Sequence, residues 1–475
     1  MSGLRLLISL TLLLTAGACA LKESQAPPPA LPPALTQVEA GSAAWPSADW
    51  YQGFGSEELN RFIAEATRLN LDIAMAKARV TQADARARQA GAALLPGVDA
   101  AGNINYLAGH SSQGTGHETD WSLLANASYE IDFWGKNRAA ARAAGHLAAA
   151  ARADQDTLAL STLADVATEY FRLLSLRERL EVAEANRQAA SQLLEVVQAR
   201  FNVGVANPVE LATQKAVLAS ATLAIPDLKQ QESETLAGLA ILLGHLPEDF
   251  SVQGASLQGI QEPSVAPGLP SELLTRRPDV FQAEANMRAA HADLVVARAA
   301  LLPSLTLTAS GGLQNPALNA AVLSLSGTGP TLSLGAAVLQ PIFDGGKLRA
   351  VRAEVAARDE ELVSAYRAAI FAAFSDVEKA LSALRHLDEA KAAQASNLEE
   401  SERAFEGANL RFKAGSLDFL TVLEAQRTLY AARDQFSQYK LARLQATVAL
   451  CKALGGGWQA PPPSARGAGE PHAAS

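Results

Sequence analysis

Leu420, Glu424 and Arg427 stand at i, i+4 and i+7, so a helix would carry an apolar side chain, a carboxylate and a guanidinium on one face. Asp418, just before them, could add a second acidic level. On an outer surface Glu424 and Arg427 would form a solvated i, i+3 pair worth roughly a few tenths of a kcal/mol. On the wall of an opening the same residues would form a steric and electrostatic barrier. Catalytic sets are missing: the 7 histidines are scattered, no pair has metal-ligand spacing, and neither G-x-S-x-G nor C-x-x-C occurs. Three methionines give no soft-metal cluster. Phe343-Asp344-Gly345-Gly346-Lys347 looks superficially like a phosphate loop, but Leu348 follows the lysine and Pro341 stands where the first glycine belongs, so a sheet-to-helix turn is expected. The chain reads as a non-enzyme without cofactor or metal.

The element that must position these residues is a glycine-centred turn between two long helical runs, Arg411–Tyr430, RFKAGSLDFLTVLEAQRTLY. It has an echo at Arg200–Ala219, RFNVGVANPVELATQKAVLA. Arg200, Phe201, Gly204 and Val205 answer to Arg411, Phe412, Gly415 and Ser416, each 211 positions later. At the positions of Leu420, Glu424 and Arg427 the first copy has Val209, Thr213 and Ala216, so charge stands on one tip only. Upstream, Asp72 and Asp279, and Pro96 and Pro303, are both 207 apart. The whole architecture is therefore duplicated.

Each copy opens with a helical segment, Ser56–Pro96 and Ser271–Pro303, followed by alternation of period two. Val98, Ala100, Ile104 and Tyr106 form one apolar set, and Trp121, Leu123, Ala125, Ala127, Tyr129, Ile131 and Phe133 a second. The second copy repeats this with Leu305 and Leu307, then Leu332, Leu334, Ala336 and Val338. Four strands of roughly 9 to 13 residues result, about the length a tilted strand needs to cross hydrocarbon. Tyr106, Trp121, Tyr129, Phe133 and Trp134 would sit near the strand ends as an interfacial girdle. Four strands cannot close a barrel and open edges are not tolerated in lipid, so a barrel must be shared between chains. From Gly135 to Asn202 and from Gly346 to Lys413 there is no proline, giving helices of roughly 100 Å at about 1.5 Å per residue. Return helices follow at Pro208–Leu243 and Leu417–Leu454, with a kink expected at Pro226.

The 49% hydrophobic content, 5% aromatic content and abundant alanine favour closely packed helices over a bulky core. A net charge of −9 offers no basic stripe for nucleic acid. Residues Met1–Ala18 combine Arg5, an apolar run from Leu6 to Leu14 and small residues ahead of Cys19, the pattern of an export signal ending at an acylated cysteine. The proline-rich stretch after it would hold the anchored Cys19 away from the folded body.

PSADWYQGFGSEELNRFIAEA, SYEIDFWGKNRAA, LLTRRPDVFQAEANMRAAHADLVVARAALLPSLTL, QPIFDGGKLRA and the two R-F-x-x-G tips together resemble the TolC-type outer-membrane factors, in particular the NodT-like lipoprotein branch that serves RND efflux pumps. The resemblance covers residues 45 to 455. It implies a mainly α protein with a membrane β-barrel contribution: a homotrimer in which four strands per chain make a twelve-stranded barrel, continued by an α-helical barrel. It also implies a periplasmic adaptor and an inner-membrane RND pump as partners, with outer-membrane lipid around the strands. The function implied is a passive exit duct for small molecules. A duct for secreted proteins and a non-conducting periplasmic coiled-coil scaffold are the alternatives. On the same resemblance Leu420, Glu424 and Arg427 fall at the periplasmic gate, as plug, acidic ring and locking arginine. Arg200, Phe201, Gly204, Val205, Arg411, Phe412, Gly415 and Ser416 form the adaptor-docking tips. The expected division is 1–18 signal, 19–48 lipidated cysteine and linker, 49–244 first repeat, 245–270 linker, 271–456 second repeat and 457–475 disordered tail.

Overall fold

The computed structural model describes residues 45–111, 114–263, 265, 270–314 and 329–460. Cys19, the signal and the proline-rich linker lie outside them, as does the tail beyond 460. In chain order the elements are α1 (Glu57–Leu69), α2 (Leu71–Ala92), β1 (Gly97–Ser111), β2 (Gly114–Ile131), α3 (Lys136–Asn202), α4 (Pro208–Leu242), α5 (Pro270–Arg276), α6 (Pro278–Ala299), β3 (Ser304–Gln314), β4 (Gly329–Leu339), α7 (Lys347–Lys413) and α8 (Phe419–Ala453). The duplication is exact in length: α3 and α7 each have 67 residues, about 100 Å of helix, and α4 and α8 each have 35. Helix α4 continues on both sides of Pro226.

The segment expected as one helix from Ser56 is two. Asn70 takes an extended backbone and its side chain accepts from the Ile73 amide, capping α2 while ending α1. In the second copy Arg277 is likewise extended but caps nothing with its side chain, because a residue before proline is pushed out of the helical region and Pro278 opens α6. These breaks grip the far ends of the return helices. Asn70 Nδ2 donates to the Leu242 carbonyl at 2.8 Å, and Arg277 donates to the Ala453 carbonyl at 3.1 Å. Arg277 is buried and also pairs with Asp279 at 2.6 Å and Asp376 at 3.1 Å. The R-R-P-D run is thus a lock between the start of the second repeat and its end. The first four residues of the expected tail, 457–460, join this lock: the Trp458 indole donates to Asp156 at 2.8 Å and the Ala460 amide to the Thr275 carbonyl.

The four strands form one antiparallel sheet in the order β1-β2-β3-β4. Its register aligns every apolar set on one face: Val98 opposes Ala127, Ala127 opposes Ala309, and Ala309 opposes Leu334. The other face is polar, with Asn126 donating to Asp99 at 3.1 Å and Ser310 bonded to Ser333 at 2.9 Å. Within one chain the apolar face is bare: Val98 is 73% exposed and Leu332 78%. Strands β1 and β2 are longer than the sequence suggests, 15 and 18 residues, because they pair on through the polar stretch after Tyr106. The four-stranded band is narrower. β2 joins β3 over Ser122–Ile131, about what a tilted strand needs to cross hydrocarbon. Trp121 and Tyr106 flank that band at one end, and Tyr129, Phe133 and Trp134 mark the other.

Two cores hold the helices. At the waist Phe54, Phe171, Leu173 and Leu239 are fully buried, each contributing about 1.5–3 kcal/mol of apolar burial. Nearer the sheet, Ala139, Ala143, Ala150 and Ala153 of α3 are buried, as are Ala285, Ala289, Ala292 and Ala299 of α6, where small side chains let α3 and α6 approach closely. At matched places the two hairpins carry buttressing ion pairs with the charges exchanged. Arg177 of α3 meets Glu232 of α4 at 2.8 Å, while Asp388 of α7 meets Arg443 of α8 at 2.7 Å.

Candidate gate and docking tips

At both tips a helix ends on a glycine with positive φ, Gly204 at 79° and Gly415 at 77°, which only glycine adopts cheaply. The Val205 and Ala206 amides return to the Arg200 carbonyl, and the Ser416 amide to the Arg411 carbonyl, tying off the last turn. The next helix is then capped, by Asn207 accepting from the Glu210 amide and by Asp418 accepting from the Thr421 amide, both at 2.9 Å. Asp418 also accepts from the Thr421 hydroxyl at 2.8 Å. These bonds hold its carboxyl below the usual carboxylate range. The capping contribution is therefore present at neutral pH and is lost only in acid, as pH falls through the lowered folded value.

Under the turns lies a third core of Leu193, Val197, Leu211, Phe412, Phe419, Val422 and Leu423. It fixes which face of α8 is free. Val422, Leu423, Gln426 and Leu429 point inward, so Leu420, Glu424 and Arg427 are all exposed, Leu420 by 70%. The structure therefore brings the three onto one open face. Among the described residues neither Glu424 nor Arg427 has an ion-pair partner, so the solvated i, i+3 pair is not formed. Leu420 and Glu424 instead border a groove of about 520 Å³ between α7 and α8, with Glu400, Ser401 and Ala404 on its other wall.

The docking residues separate into two groups. Gly204, Val205, Gly415 and Ser416 are exposed at the ends, and a Cβ built on either glycine would meet nothing within 4 Å. Val203 and Val209 extend this exposed apolar rim, a feature the glycine motif alone did not single out. Phe201 and Phe412 instead face inward, Phe412 being 1% exposed. Arg200 stacks its guanidinium 4.4 Å from the Phe412 ring centre and donates to the Phe412 carbonyl at 2.9 Å, joining the two tips. Arg411, its counterpart, is exposed and has no side-chain partner among the described residues.

Buried amides behind the tip were not legible in the sequence, since a glutamine in a helix reads as surface. Gln214 donates to the Ala190 carbonyl and Gln394 to the Ala432 carbonyl, each at 3.1 Å. Gln426 donates to the Tyr430 hydroxyl, which donates to the Asn186 carbonyl at 2.6 Å. Burial pushes the Tyr430 phenol up to about 12. At the sheet-to-helix turn the Asp344 carboxylate accepts from the Gly346 and Leu348 amides, as Asp132 does from Asn137 and Arg138. The amides a phosphate would need are thus taken by a carboxylate of the chain. Among the described residues no cluster of three or more potential metal ligands occurs, and no helix is long and apolar enough to cross a membrane.

The family model described as outer membrane efflux protein matches residues 62–245 and 269–456. The chain belongs to the outer membrane efflux protein family. The two matched spans of this efflux protein fall on its two structural copies. Pyoverdine export outer membrane protein OpmQ of Pseudomonas aeruginosa is 43% identical over 419 residues, covering 86% of this chain and 87% of its own. Cation efflux system protein CusC of Escherichia coli K12 is 28% identical, covering 86% and 89%. Among solved structures, the open state of the Neisseria gonorrhoeae MtrE outer membrane channel superposes with a TM-score of 0.82 at 27% identity, covering 93% of this efflux protein and 99% of that chain. The OprN outer-membrane channel superposes with a TM-score of 0.83 at 24% identity, covering 93% and 100%, a likeness of fold.

Proposed function

We propose that three copies of this chain form an outer-membrane exit duct, the final conduit of a tripartite efflux pump that takes small molecules from an inner-membrane transporter through a periplasmic adaptor. The observation that carries this reading is the sheet: one face apolar across all four strands and bare, the other polar, with both edges open, standing on helices of about 100 Å. Open edges and a bare apolar face are satisfied together when sheets join into a lipid-embedded barrel with a polar lumen. Leu420, Glu424 and Arg427 then face the lumen at the periplasmic end, and Asp418 adds its charge at the mouth. Three carboxylates about a narrow axis repel anions and attract cations. Single-channel recording in planar bilayers tests the duct. Discrete conductance steps are expected; a protein that inserts and never conducts is the scaffold instead.

Small molecules are favoured over secreted polypeptides because relatives at 43% and 41% identity are named for pyoverdine export, and others for cation and toluene efflux. Duct walls select weakly, so the choice of substrate falls to the pump.

Two predictions arise here. Cys19 is the acylation site that anchors the chain, and Cys19→Ser should reduce labelled-palmitate incorporation to background while folding persists; unchanged incorporation refutes the anchor. At the docking end, Gly415→Trp has open space around it and should cost about 1–2 kcal/mol of stability through its left-handed backbone. Its export activity should nevertheless fall to that of a deletion strain, since the new side chain stands on the surface the adaptor would cover. Full export in that strain removes the tip from the docking surface.

A further inference from the structure

The two hairpins can be compared residue by residue, since α3 aligns with α7 and α4 with α8 at a constant spacing of 211. In the first hairpin Leu176, Leu180, Ala183, Ile225 and Leu228 close on one another as a small apolar core between α3 and α4. Their counterparts in the second are Leu387, Lys391, Gln394, Phe436 and Tyr439, and all five line a cavity of about 260 Å³. The core has been opened. Leu228 is 6% exposed but Tyr439 38%, and two leucines have given way to an ammonium and a phenol at the cavity mouth. The segment between the two repeats runs along the opening, where its Leu257 and Ile260 extend the apolar wall together with Leu444 of α8. That segment is fixed in place, because the Leu257 amide donates to the Glu178 carboxylate at 3.4 Å and the Gln261 amide to the Phe54 carbonyl at 2.9 Å.

The charges around this cavity are unevenly committed. Lys440 pairs with Glu178 at 2.9 Å and lies 4.7 Å over the Phe436 ring, while Arg443 pairs with Glu262 and, at 2.7 Å, with Asp388. Glu262 is the one acidic side chain on the lining, and Arg443 already holds it. Among the described residues Lys391 has no ion pair and the Tyr439 hydroxyl no hydrogen bond. An apolar floor thus meets one uncompensated cation beside a free hydroxyl. We propose that the cavity binds a small amphiphilic carboxylate, with its apolar body against Leu257, Phe436 and Leu444 and its carboxylate taken at the mouth by the Lys391 ammonium and the Tyr439 hydroxyl. Both groups donate, and a carboxylate, which only accepts, satisfies the two together. The ligand supplies to the second hairpin the filling that Leu180 and Leu228 supply to the first. Phe436, Lys440 and Leu444 lie roughly half a turn around α8 from Leu420, Glu424 and Arg427. On the duct reading the cavity therefore opens on the outer wall, and its ligand is a periplasmic solute rather than cargo in the lumen. The hairpin that carries the gate face is then the one whose packing answers to a molecule outside the duct.

Fluorine NMR on the full-length assembled protein in amphipol tests this, with 4-(trifluoromethyl)benzoate as the probe and 4-(trifluoromethyl)benzamide as its uncharged control. Saturable benzoate binding with a Kd on the order of 1 mM or tighter is expected, and the benzamide should bind about tenfold more weakly. Lys391→Gln should weaken benzoate binding by roughly the same factor. Lys391→Leu with Tyr439→Leu rebuilds the leucine pair of the first hairpin, so it should abolish binding while the melting temperature holds or rises. Absence of saturable benzoate binding to the parent protein overturns the site, and so does unchanged binding to the double-leucine variant. Equal affinity for benzoate and benzamide overturns the carboxylate. Should the double-leucine variant melt lower, Lys391→Gln decides, and full benzoate affinity in it overturns the proposal. Conductance of the same parent preparation is recorded separately: a conducting channel that binds nothing loses this site and keeps the duct, whereas binding without conductance loses the duct and keeps the site.

Discussion

Glu424→Ala combined with Arg427→Ala is expected to make the resting channel leak. Among the described residues the two charges have no ion-pair partner, and they share an open face with Leu420, so their contribution belongs to the assembled mouth. A solvated charge contact contributes about 0.2–1 kcal/mol, and three copies of the lesion act on one aperture. The closed state should lose about 0.6–3 kcal/mol, shifting the open-to-closed ratio roughly three- to hundred-fold. Planar-bilayer recording of the unliganded channel reads this directly; a closed-state conductance identical to the parent removes these residues from the gate. Asp418→Asn is the companion variant, because asparagine caps the matching helix at Asn207 and so keeps the turn while removing the charge. Its leak reports the outer acidic level alone. Melting temperature should hardly move in any of these variants, because none touches the core under the tip.

The largest stability effect is expected at the opposite end of the return helix. Gly455 has a φ of 86°, and a Cβ there would lie 1.8 Å from the Arg276 carbonyl oxygen. That oxygen belongs to the lock in which Arg277 grips the last turn of α8, so it cannot move without breaking a buried ion-pair cluster. Gly455→Ala should cost about 3–5 kcal/mol, combining the left-handed backbone with a clash against main chain. Gly415→Ala is the matched control, with a φ of 77° and nothing within 4 Å. It bears the backbone term alone, about 1 kcal/mol. Thermal melting of the two purified variants should differ by many degrees; equal melting points would mean that the lock yields.

The long elements were legible because their signals are local and repeated. Proline-free runs gave α3 and α7 at their observed ends, and strict alternation gave the strands and the face that carries Trp121, Leu123 and Tyr129. The double 211-residue spacing relates the two tips within the sequence itself. The break at Asn70 was hidden, since it interrupts an amphipathic pattern that reads as continuous and is held by a distant carbonyl, whereas the break at Arg277 has a local signal in Pro278. Partner choice was hidden too. Nothing in the spelling of Arg200 and Arg411 distinguishes the one that grips Phe412 from the one without a side-chain partner among the described residues. That difference comes from which hairpins share a chain, a property of topology rather than of either sequence segment.

The exchanged ion pairs of the two hairpins bear on how such a chain avoids misassembly. A protein containing two similar hairpins can fold by pairing the outgoing helix of one with the returning helix of the other. In the native arrangement Arg177 meets Glu232 and Asp388 meets Arg443. Trading partners would set Arg177 against Arg443 and Asp388 against Glu232, two like-charge encounters in place of two attractions. Each hairpin therefore carries its own polarity mark, and newly made chains crowded at the membrane, where hairpins could also be swapped between molecules, meet the same penalty for every wrong match.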